Sequence, residues 1–316
     1  MTEAEQRKRT AKIQEIRNAA LDYLDGNSSD FRVHAYVKKL EAFRSRPATG
    51  EWLEAVVLVQ ITKRIKPTRT LGMMNHLSKL RTRQGNQQAF TEFSNMVNAY
   101  LSPFRVTAHG YKEDYFSDAN NDIALDSIGD LVQRFRAIGY EVILNSGTLL
   151  GVVRDGRLIE HDDDVDLAVL LRSKNRTDAA REWVALLSEL ERLNLLGDTD
   201  SGQNEIYKLR RIGEFEVDLF PCWIEDEKVY IYPHTHGEIG VSSLVPTQAC
   251  STTGHPIPAD PRSFLTQNYG ANWSTPDPYF IFPWRKQKRL FQKFIDDVQS
   301  FVDEENALEN AQSTND

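Results

Sequence analysis

The sequence predicts an α/β protein of the α+β kind, in which helices flank a mixed sheet and a helical region precedes it. Two observations predict this class. Apolar residues recur at helical spacing through the first hundred residues, whereas the β-branched apolar runs 142–144 and 165–171 are typical of buried strands. Alternating apolar and polar residues add two further strands, at 205–212 and 214–220. We expect these four segments to contribute to one sheet.

Length, composition and charge fit a globular protein with two regions. The 316 residues are 40% hydrophobic and 27% charged, which excludes a disordered or fibrous chain and allows a sizeable core. The first 100 residues contain 17 Lys and Arg against 10 Asp and Glu, a net charge of +7, which leaves −15 for the rest of a chain whose total is −8. We therefore expect a helical N-terminal region over residues 1–105, an acidic α+β domain over 106–302 and a flexible tail over 303–316.

Five helices are expected in the N-terminal region, each from an apolar stripe at helical spacing. The stripes are Ile13, Ile16, Ala20 and Leu24; Val33, Val37, Leu40 and Phe43; residues 52–65; Leu71, Met74, Leu77 and Leu80; and Phe90, Phe93 and Val97. A run of valines in the third stripe leaves a strand open there. We expect this region to pack on the second domain or to form a dimer contact.

The second domain begins with a helix over 122–138 that leads into the first strand, and a further helix is expected over 175–194. A helix over 261–268 and an amphipathic, partly basic helix over 282–301 complete the expected elements. His234 and His236 have a spacing that zinc sites use, but no third ligand is nearby in the sequence, so we expect a turn.

Compartment signals favour the cytoplasm. The N-terminal segment lacks the apolar stretch of a secretory signal, and the longest mainly apolar run, 55–61, is too short to span a bilayer. Cys222 and Cys250, the chain's two cysteines, form neither a disulfide framework nor a zinc pattern. We expect a soluble, cytoplasmic protein of a reducing compartment.

The segment 141–171 contains the residues that indicate chemistry. Asp162, Asp164 and Asp166 are spaced two apart, so on an extended chain their carboxylates share one face, with Asp163 on the other. Clustered like charges need a cation, and all-oxygen ligands suit Mg²⁺ or Mn²⁺. An acidic surface turn is the alternative interpretation.

Gly147 lies just before these acids, where a strand gives way to a short helix. Gly147 and Gly151 permit a tight turn and a close backbone approach to a phosphate, toward which the following helix would direct its N–H groups. Arg154, one turn further on, would pair with a phosphate oxygen or with one of the aspartates.

Charged residues also alternate on the next two strands. Glu216 and Asp218 share one face of the segment 214–220. On 205–212, Lys208 and Arg210 share a face as candidates to meet phosphate, while Arg211 points to the other.

At this point the sequence resembles a known family. Residues 147–167 resemble the signature of the LicD/fukutin family of phosphotransferases, which have the nucleotidyltransferase fold. The matching positions are Gly147, Thr148, Leu149, Leu150, Gly151, Arg154, Gly156, Ile159, Asp162, Asp163, Asp164, Asp166 and Leu167. His161 departs from the aromatic that many members carry there. Asp218 to Pro221 match a second string of the family, and Pro258, Phe264, Leu265, Tyr269, Gly270, Trp273 and Pro276 match a C-terminal pattern that we expect to be structural.

The resemblance implies a role for each candidate residue. Asp164, Asp166 and Asp218 would hold Mg²⁺ or Mn²⁺, and Asp162 would complete the shell or take a proton from the acceptor hydroxyl. The residues expected to bind phosphate are Gly147, Thr148, Gly151, Arg154, Lys208 and Arg210. The family moves phosphocholine, ribitol phosphate or glycerol phosphate from a CDP-alcohol donor to a glycan or glycolipid acceptor, releasing CMP.

Other partners and functions stay open. The basic residues Lys63, Arg64, Lys66 and Arg69 would hold an anionic glycan, a lipid-linked acceptor or the inner membrane face, and no nucleic acid is expected. Three functions remain as alternatives: a nucleotidyltransferase moving NMP from an NTP, a glycosyltransferase using a nucleotide sugar, and a non-catalytic glycan- or partner-binding protein. Retention of every acid argues against the last, because unneeded buried carboxylates are unfavourable.

Overall fold

A computed structural model describes residues 2–107, 110–113, 116, 118–162, 164–197, 204–212 and 215–313. The chain forms two compact units. The first is Met1–Asp114 with Asp277–Ile281, and the second is Tyr115–Pro276 with Phe282–Asp316. The first unit thus extends past residue 105 and takes in a short segment from the C-terminal third, which no local periodicity could indicate.

All five expected N-terminal helices are present in the first unit. They are α1 (Glu3–Leu24), α2 (Val33–Ala42), α3 (Gly50–Ile61), α4 (Pro67–Arg83) and α5 (Gln87–Leu101), followed by a hairpin of β1 (Phe104–Val106) and β2 (Tyr111–Glu113). The valine-rich segment is the helix α3, and every residue from Trp52 to Ile61 except Glu54 is buried. Burial on all sides explains why α3 lacks an amphipathic pattern and resembles a strand.

Three of the four basic residues expected to contact an anionic partner make contacts within this unit. Lys63 donates to the Tyr23 hydroxyl, Arg69 pairs with Glu41, and the Arg64 guanidinium lies 3.8 Å from the centre of the Phe104 ring. Within the described part of the chain, no helix combines the length and apolarity that a membrane span requires. Contact of this surface with a membrane or an anionic glycan stays a prediction.

The second unit contains the sheet and its flanking helices. Its elements are α6 (Asp118–Ala137), β3 (Glu141–Leu144), α7 (Ser146–Asp155), β4 (Asp164–Leu170), α8 (Arg176–Arg192), β5 (Tyr207–Ile212), β6 (Phe215–Glu225), β7 (Lys228–Ile231), β8 (Thr235–Gly240), β9 (Gln248–Ala249), β10 (Pro256–Ile257), α9 (Pro261–Tyr269), α10 (Trp284–Leu290) and α11 (Gln292–Ser313). The expected mixed sheet flanked by helices is confirmed.

The sheet has six strands built around the long strand β6. The order is β3-β4-β6-β7-β8, with β5 also paired to β6. β4 and β6 are parallel, and the other neighbours are antiparallel. The first half of β6 therefore lies between β4 and β5, and both of these strands can place side chains beside those of β6.

The C-terminal half departs from the expectation of a single helix over 282–301. After β6 the chain forms the strands β7 and β8. The expected helix 282–301 is two helices, α10 and α11, that meet at the buried Phe291. α11 continues to Ser313, so residues 303–313 of the expected flexible tail are helical, and their Glu, Ala, Leu and Gln favour helix without an apolar stripe.

Candidate functional site

Three aspartates meet near the start of the parallel pair β4 and β6. The register places Asp166 opposite Asp218 and Asp164 opposite Glu216. Carboxylate oxygens of Asp164, Asp166 and Asp218 lie within 4.8 Å of one another. Asp166 and Asp218 are each 8% exposed, and Asp164 is half-buried. The structure thus brings together the three residues that were predicted as metal ligands.

Burial and like charge act together on Asp166. Burial raises the pKa of Asp166 well above its ordinary value, and the charges of Asp164 and Asp218 raise it further. Hydrogen bonds from the Gly147 N–H and the Ser146 side chain lower it only in part. A divalent cation would remove the repulsion, so metal binding and ionisation of Asp166 are coupled.

Lys208 supplies a positive charge beside Asp218. Antiparallel pairing of β5 with β6 aligns the two residues, and Lys208 Nζ donates to Asp218 Oδ2 over 2.7 Å and lies 2.5 Å from Oδ1. Burial raises the pKa of Asp218, and Lys208 offsets this in part. Burial lowers the pKa of Lys208, but the hydrogen bond and charge of Asp218 outweigh it, so the net shift is upward and Lys208 stays protonated.

The donor set fits a hard divalent cation. All three candidate ligands offer carboxylate oxygens, and two of the three side chains, Asp166 and Asp218, are buried. Mg²⁺ and Mn²⁺ prefer such oxygen ligands. In the described ranges, no other group of three His, Cys, Asp or Glu side chains comes close enough to hold an ion.

The start of α7 is fastened to Asp166. The Asn145 N–H donates to the Asp166 carbonyl over 3.0 Å, and the Gly147 N–H donates to Asp166 Oδ2 over 3.0 Å. In return, the Asp166 N–H donates to Thr148 Oγ1 over 2.8 Å. Gly147 and Thr148 therefore orient a candidate ligand. Their contact with phosphate stays a prediction, since the Gly147 N–H is already directed at Asp166.

Asp162 lies beside the cluster but not on the strand. β4 begins at Asp164, and the Asp162 N–H donates to the Ile159 carbonyl in the preceding turn, so the expectation of three aspartates on one strand face is wrong for Asp162. A Cβ on Gly147 would lie 2.6 Å from Asp162 Oδ2, so the absence of a side chain there leaves room for Asp162. Asp163 lies outside the described residues.

Ser146 and Tyr269 form a hydroxyl pair next to the acids. Ser146 has φ = 44°, a left-handed conformation that is unfavourable for a residue with a side chain and clusters at functional sites. Its Oγ lies 3.3 Å from Tyr269 Oη, and burial, with the charges of Asp166 and its neighbours, raises the pKa of Tyr269. Tyr269 therefore stays a neutral phenol that can donate a hydrogen bond.

Asn145 is held from behind by a buried histidine. Asn145 Nδ2 lies 3.2 Å from His234 Nδ1, and the His234 ring packs against Phe220 and Phe282. Burial lowers the pKa of His234 to about 3, so the ring is neutral at physiological pH. Of the turn expected at His234 and His236, only His234 lies in a turn, whereas His236 lies on β8. Sequence reasoning missed Asn145, Ser146 and the placement of His234 and Tyr269 at the site.

Three predicted phosphate ligands are not brought to the acids. Gly151 lies inside α7, where a Cβ would be 2.6 Å from the Arg157 carbonyl oxygen, so its lack of a side chain serves packing. Arg154 pairs with its neighbour Asp155 at the opposite end of α7 from Gly147. Arg210 is exposed and donates to the Leu196 carbonyl, because a bulge follows Leu209 in the pairing of β5 with β6.

One comparison with known proteins bears on this site. Residues 139–261 match the family described as "LicD/FKTN/FKRP, nucleotidyltransferase domain". The matched span contains α7, β4 and β6, and with them every residue of the aspartate cluster. No curated protein sequence matches the chain. Residues 139–261 therefore form a nucleotidyltransferase domain of the LicD/FKTN/FKRP family.

Proposed function

We propose that this protein transfers a phosphoalcohol unit from a CDP-activated donor to a hydroxyl of a cell-surface glycan and releases CMP. The unit would be phosphocholine, ribitol phosphate or glycerol phosphate. One observation carries the proposal: Asp164, Asp166 and Asp218 converge to within 4.8 Å inside a domain whose family indicates a transferase acting on glycans.

The reaction is a substitution at the donor phosphorus that carries the alcohol. The acceptor oxygen forms a bond to this phosphorus, the bond from phosphorus to the CMP oxygen breaks, and the acceptor proton is released. Charge builds up on the phosphoryl oxygens and on departing CMP, so catalysis depends on positioning and positive charge. A Mg²⁺ or Mn²⁺ held by Asp164, Asp166 and Asp218 would supply much of that positive charge.

The chain's own residues divide the remaining tasks. Asp164, Asp166 and Asp218 would hold the metal, and the Asn145–Thr148 contacts keep Asp166 turned toward it. Lys208, which stays protonated beside Asp218, would neutralise a phosphate oxygen. The neutral Tyr269 hydroxyl would donate to a second phosphate oxygen. Asp162 would take the acceptor proton or complete the metal shell.

A CMP-release assay tests the proposal. The protein is incubated with Mg²⁺ and, separately, CDP-choline, CDP-ribitol or CDP-glycerol, with CTP and a nucleotide sugar as controls. Asp166→Ala and a chelator remove the site and the metal, and Asp296→Ala, an exposed acid on α11, is the matched variant. Metal-dependent CMP from one CDP-alcohol, lost only in Asp166→Ala, is the expected result.

The same plate separates the alternatives. Pyrophosphate released from CTP would identify an NMP-transferring enzyme that uses the same three acids. Turnover of the nucleotide sugar would identify a glycosyltransferase. If no donor is consumed with or without a mixed glycan acceptor, the proposed function is wrong and a binding role replaces it.

A further inference from the structure

A cleft of about 340 Å³ opens beside α7, away from the aspartates. It is lined by Val152, Val153, Cys250, Ser251, Thr252, Ile257, Pro261, Arg262 and Trp273. Sites for small ligands have volumes from roughly 300 to 1,000 Å³, so the cleft can hold one ring-sized group. None of its lining residues takes part in the aspartate site.

The lining combines an apolar floor with a polar rim. Val152 and Ile257 are buried and Trp273 is partly exposed, whereas Ser251, Thr252 and Arg262 are exposed. A sugar ring presents the same two kinds of surface, because its C–H face packs on an aromatic ring and its hydroxyls need polar partners at the edge. An exposed rim also lets a polymer continue into solvent on either side.

Two antiparallel helices connect the cleft with the aspartates. At one end of the pair, Ser146 of α7 contacts Tyr269 of α9; at the other, Val152 and Val153 share the cleft with Pro261 and Arg262. With a rise of about 1.5 Å per residue, the cleft lies roughly 8 Å along α7 from Gly147. This is a suitable separation between a reacting sugar and a neighbouring unit of the same chain.

We propose that this cleft binds a sugar unit of the acceptor glycan next to the unit that receives the phosphoalcohol. The proposal rests on the proposed function, because it assigns the acceptor side of that same reaction. Trp273 packs on the ring, and Ser251, Thr252 and Arg262 hydrogen-bond its hydroxyls. A nucleoside is the other flat ligand that Trp273 could stack on, and the experiment separates the two.

Cys250 provides a built-in reporter of the cleft. Its side chain lines the cleft and is 6% exposed, whereas Cys222 is fully buried. Burial raises the pKa of Cys222, which makes its thiol unreactive. For Cys250 burial also acts upward, but the N–H groups of Thr253 and Thr252 outweigh it and lower the pKa of the thiol. A thiol reagent should therefore label Cys250 first.

The experiment measures how fast iodoacetamide labels Cys250 in the full-length protein, followed by intact mass. Maltose, lactose and N,N′-diacetylchitobiose are the saccharide probes, CMP is the nucleoside probe, and glycerol controls for viscosity. A saccharide should slow labelling at least about threefold, which corresponds to roughly two-thirds occupancy. CMP should leave the rate unchanged.

Two variants assign the protection to the cleft. Arg262→Ala should raise the saccharide concentration needed for half-maximal protection about tenfold, as expected for losing a hydrogen bond to a charged group. Arg192→Ala removes another exposed guanidinium, on α8, and should leave protection intact. Trp273→Phe keeps an aromatic ring for the sugar to pack on, whereas Trp273→Ala removes it. Trp273→Phe should therefore weaken saccharide protection less than Trp273→Ala does.

The labelling rates test sugar binding in the cleft, and the CMP-release assay tests the proposed function separately. Protection by none of the three saccharides overturns the proposal, and so does protection by CMP alone or protection that survives Arg262→Ala. Saccharide protection without CMP release from any CDP-alcohol would keep the cleft and reject the proposed function. CMP release without saccharide protection would keep the proposed function and reject sugar binding in the cleft.

Discussion

Replacing Asp166 with Asn should stabilise the metal-free protein and remove its response to Mg²⁺. At an effective dielectric constant of about 20, two ionised carboxylates about 4.8 Å apart repel each other by roughly 3.5 kcal/mol. Asp166 faces two such charges, which would amount to roughly 7 kcal/mol if all three acids were ionised. The substitution removes both repulsions and keeps an oxygen that can accept from the Gly147 N–H.

Proton binding limits the size of the effect. Asp166 can avoid the repulsion by taking up a proton, which at pH 7 would cost at most about 4 kcal/mol relative to an unfolded pKa near 3.9. We therefore expect Asp166→Asn to raise the free energy of unfolding by about 2 to 4 kcal/mol without metal. For a unit of this size that corresponds to a rise in Tm of at least about 4 °C.

Thermal unfolding at pH 7, with chelator and then with Mg²⁺, is the assay. Mg²⁺ at a hundred times its Kd should stabilise the natural protein by about 2.7 kcal/mol and leave Asp166→Asn unchanged. The difference in stability between the two proteins should therefore narrow or change sign. Asp296→Asn, an exposed acid on α11, should behave like the natural protein in both conditions. A lower Tm for Asp166→Asn in chelator, or an undiminished response to Mg²⁺, would refute the reasoning.

Four further outcomes are expected. The pKa values of Asp166 and Asp218 are raised in the folded protein, so their contribution to stability is present below about pH 4 and is lost as pH rises through the folded pKa values. The Tm gain of Asp166→Asn should therefore shrink as the pH is lowered toward 4. A gain that stays constant with pH would contradict this. Gly151→Ala should lower the free energy of unfolding by more than about 2 kcal/mol, because its Cβ would lie 2.6 Å from a backbone oxygen. Gly72→Ala, whose Cβ would meet open space beside α4, should be neutral or stabilising by up to about 1 kcal/mol. Thr148→Val should lower the free energy of unfolding by about 1 to 3 kcal/mol, measured by denaturant titration, because it leaves the buried Asp166 N–H without its acceptor. Tyr269→Phe should reduce CMP release about tenfold or more with an unchanged Tm; full activity would exclude a hydrogen bond from Tyr269 to phosphate.

The aspartate cluster was predictable because its signals are local. Spacing of two along a strand puts Asp164 and Asp166 on one face, and alternation does the same for Asp218 on a neighbouring strand. The five N-terminal helices were equally accessible from apolar spacing, which their buried stripes confirm. In each case the information lies within about twelve consecutive residues.

The rest of the site depends on contacts between distant parts of the chain. Ser146 meets Tyr269 across 123 positions, and Asn145 meets His234 across 89, so no spacing rule connects them. The left-handed backbone of Ser146 has no signature in a serine, which does not favour that conformation. Strict alternation along the strand predicted Arg210 on the same face as Lys208. The bulge after Leu209 interrupts the strand pairing on which that alternation depends.

We propose that the aspartate cluster directs transfer of a phosphoalcohol with CMP as the leaving group. Phosphorus-31 NMR of a reaction with Mg²⁺, the CDP-alcohol that the release assay selects and a glycan acceptor tests this proposal most directly, because it identifies which bond to phosphorus breaks. We expect the diphosphate signals to decay into equal amounts of CMP and a new phosphodiester, and Asp164→Asn to abolish both. Pyrophosphate formed from CTP in place of CMP, or an undiminished phosphodiester signal in Asp164→Asn, would contradict it.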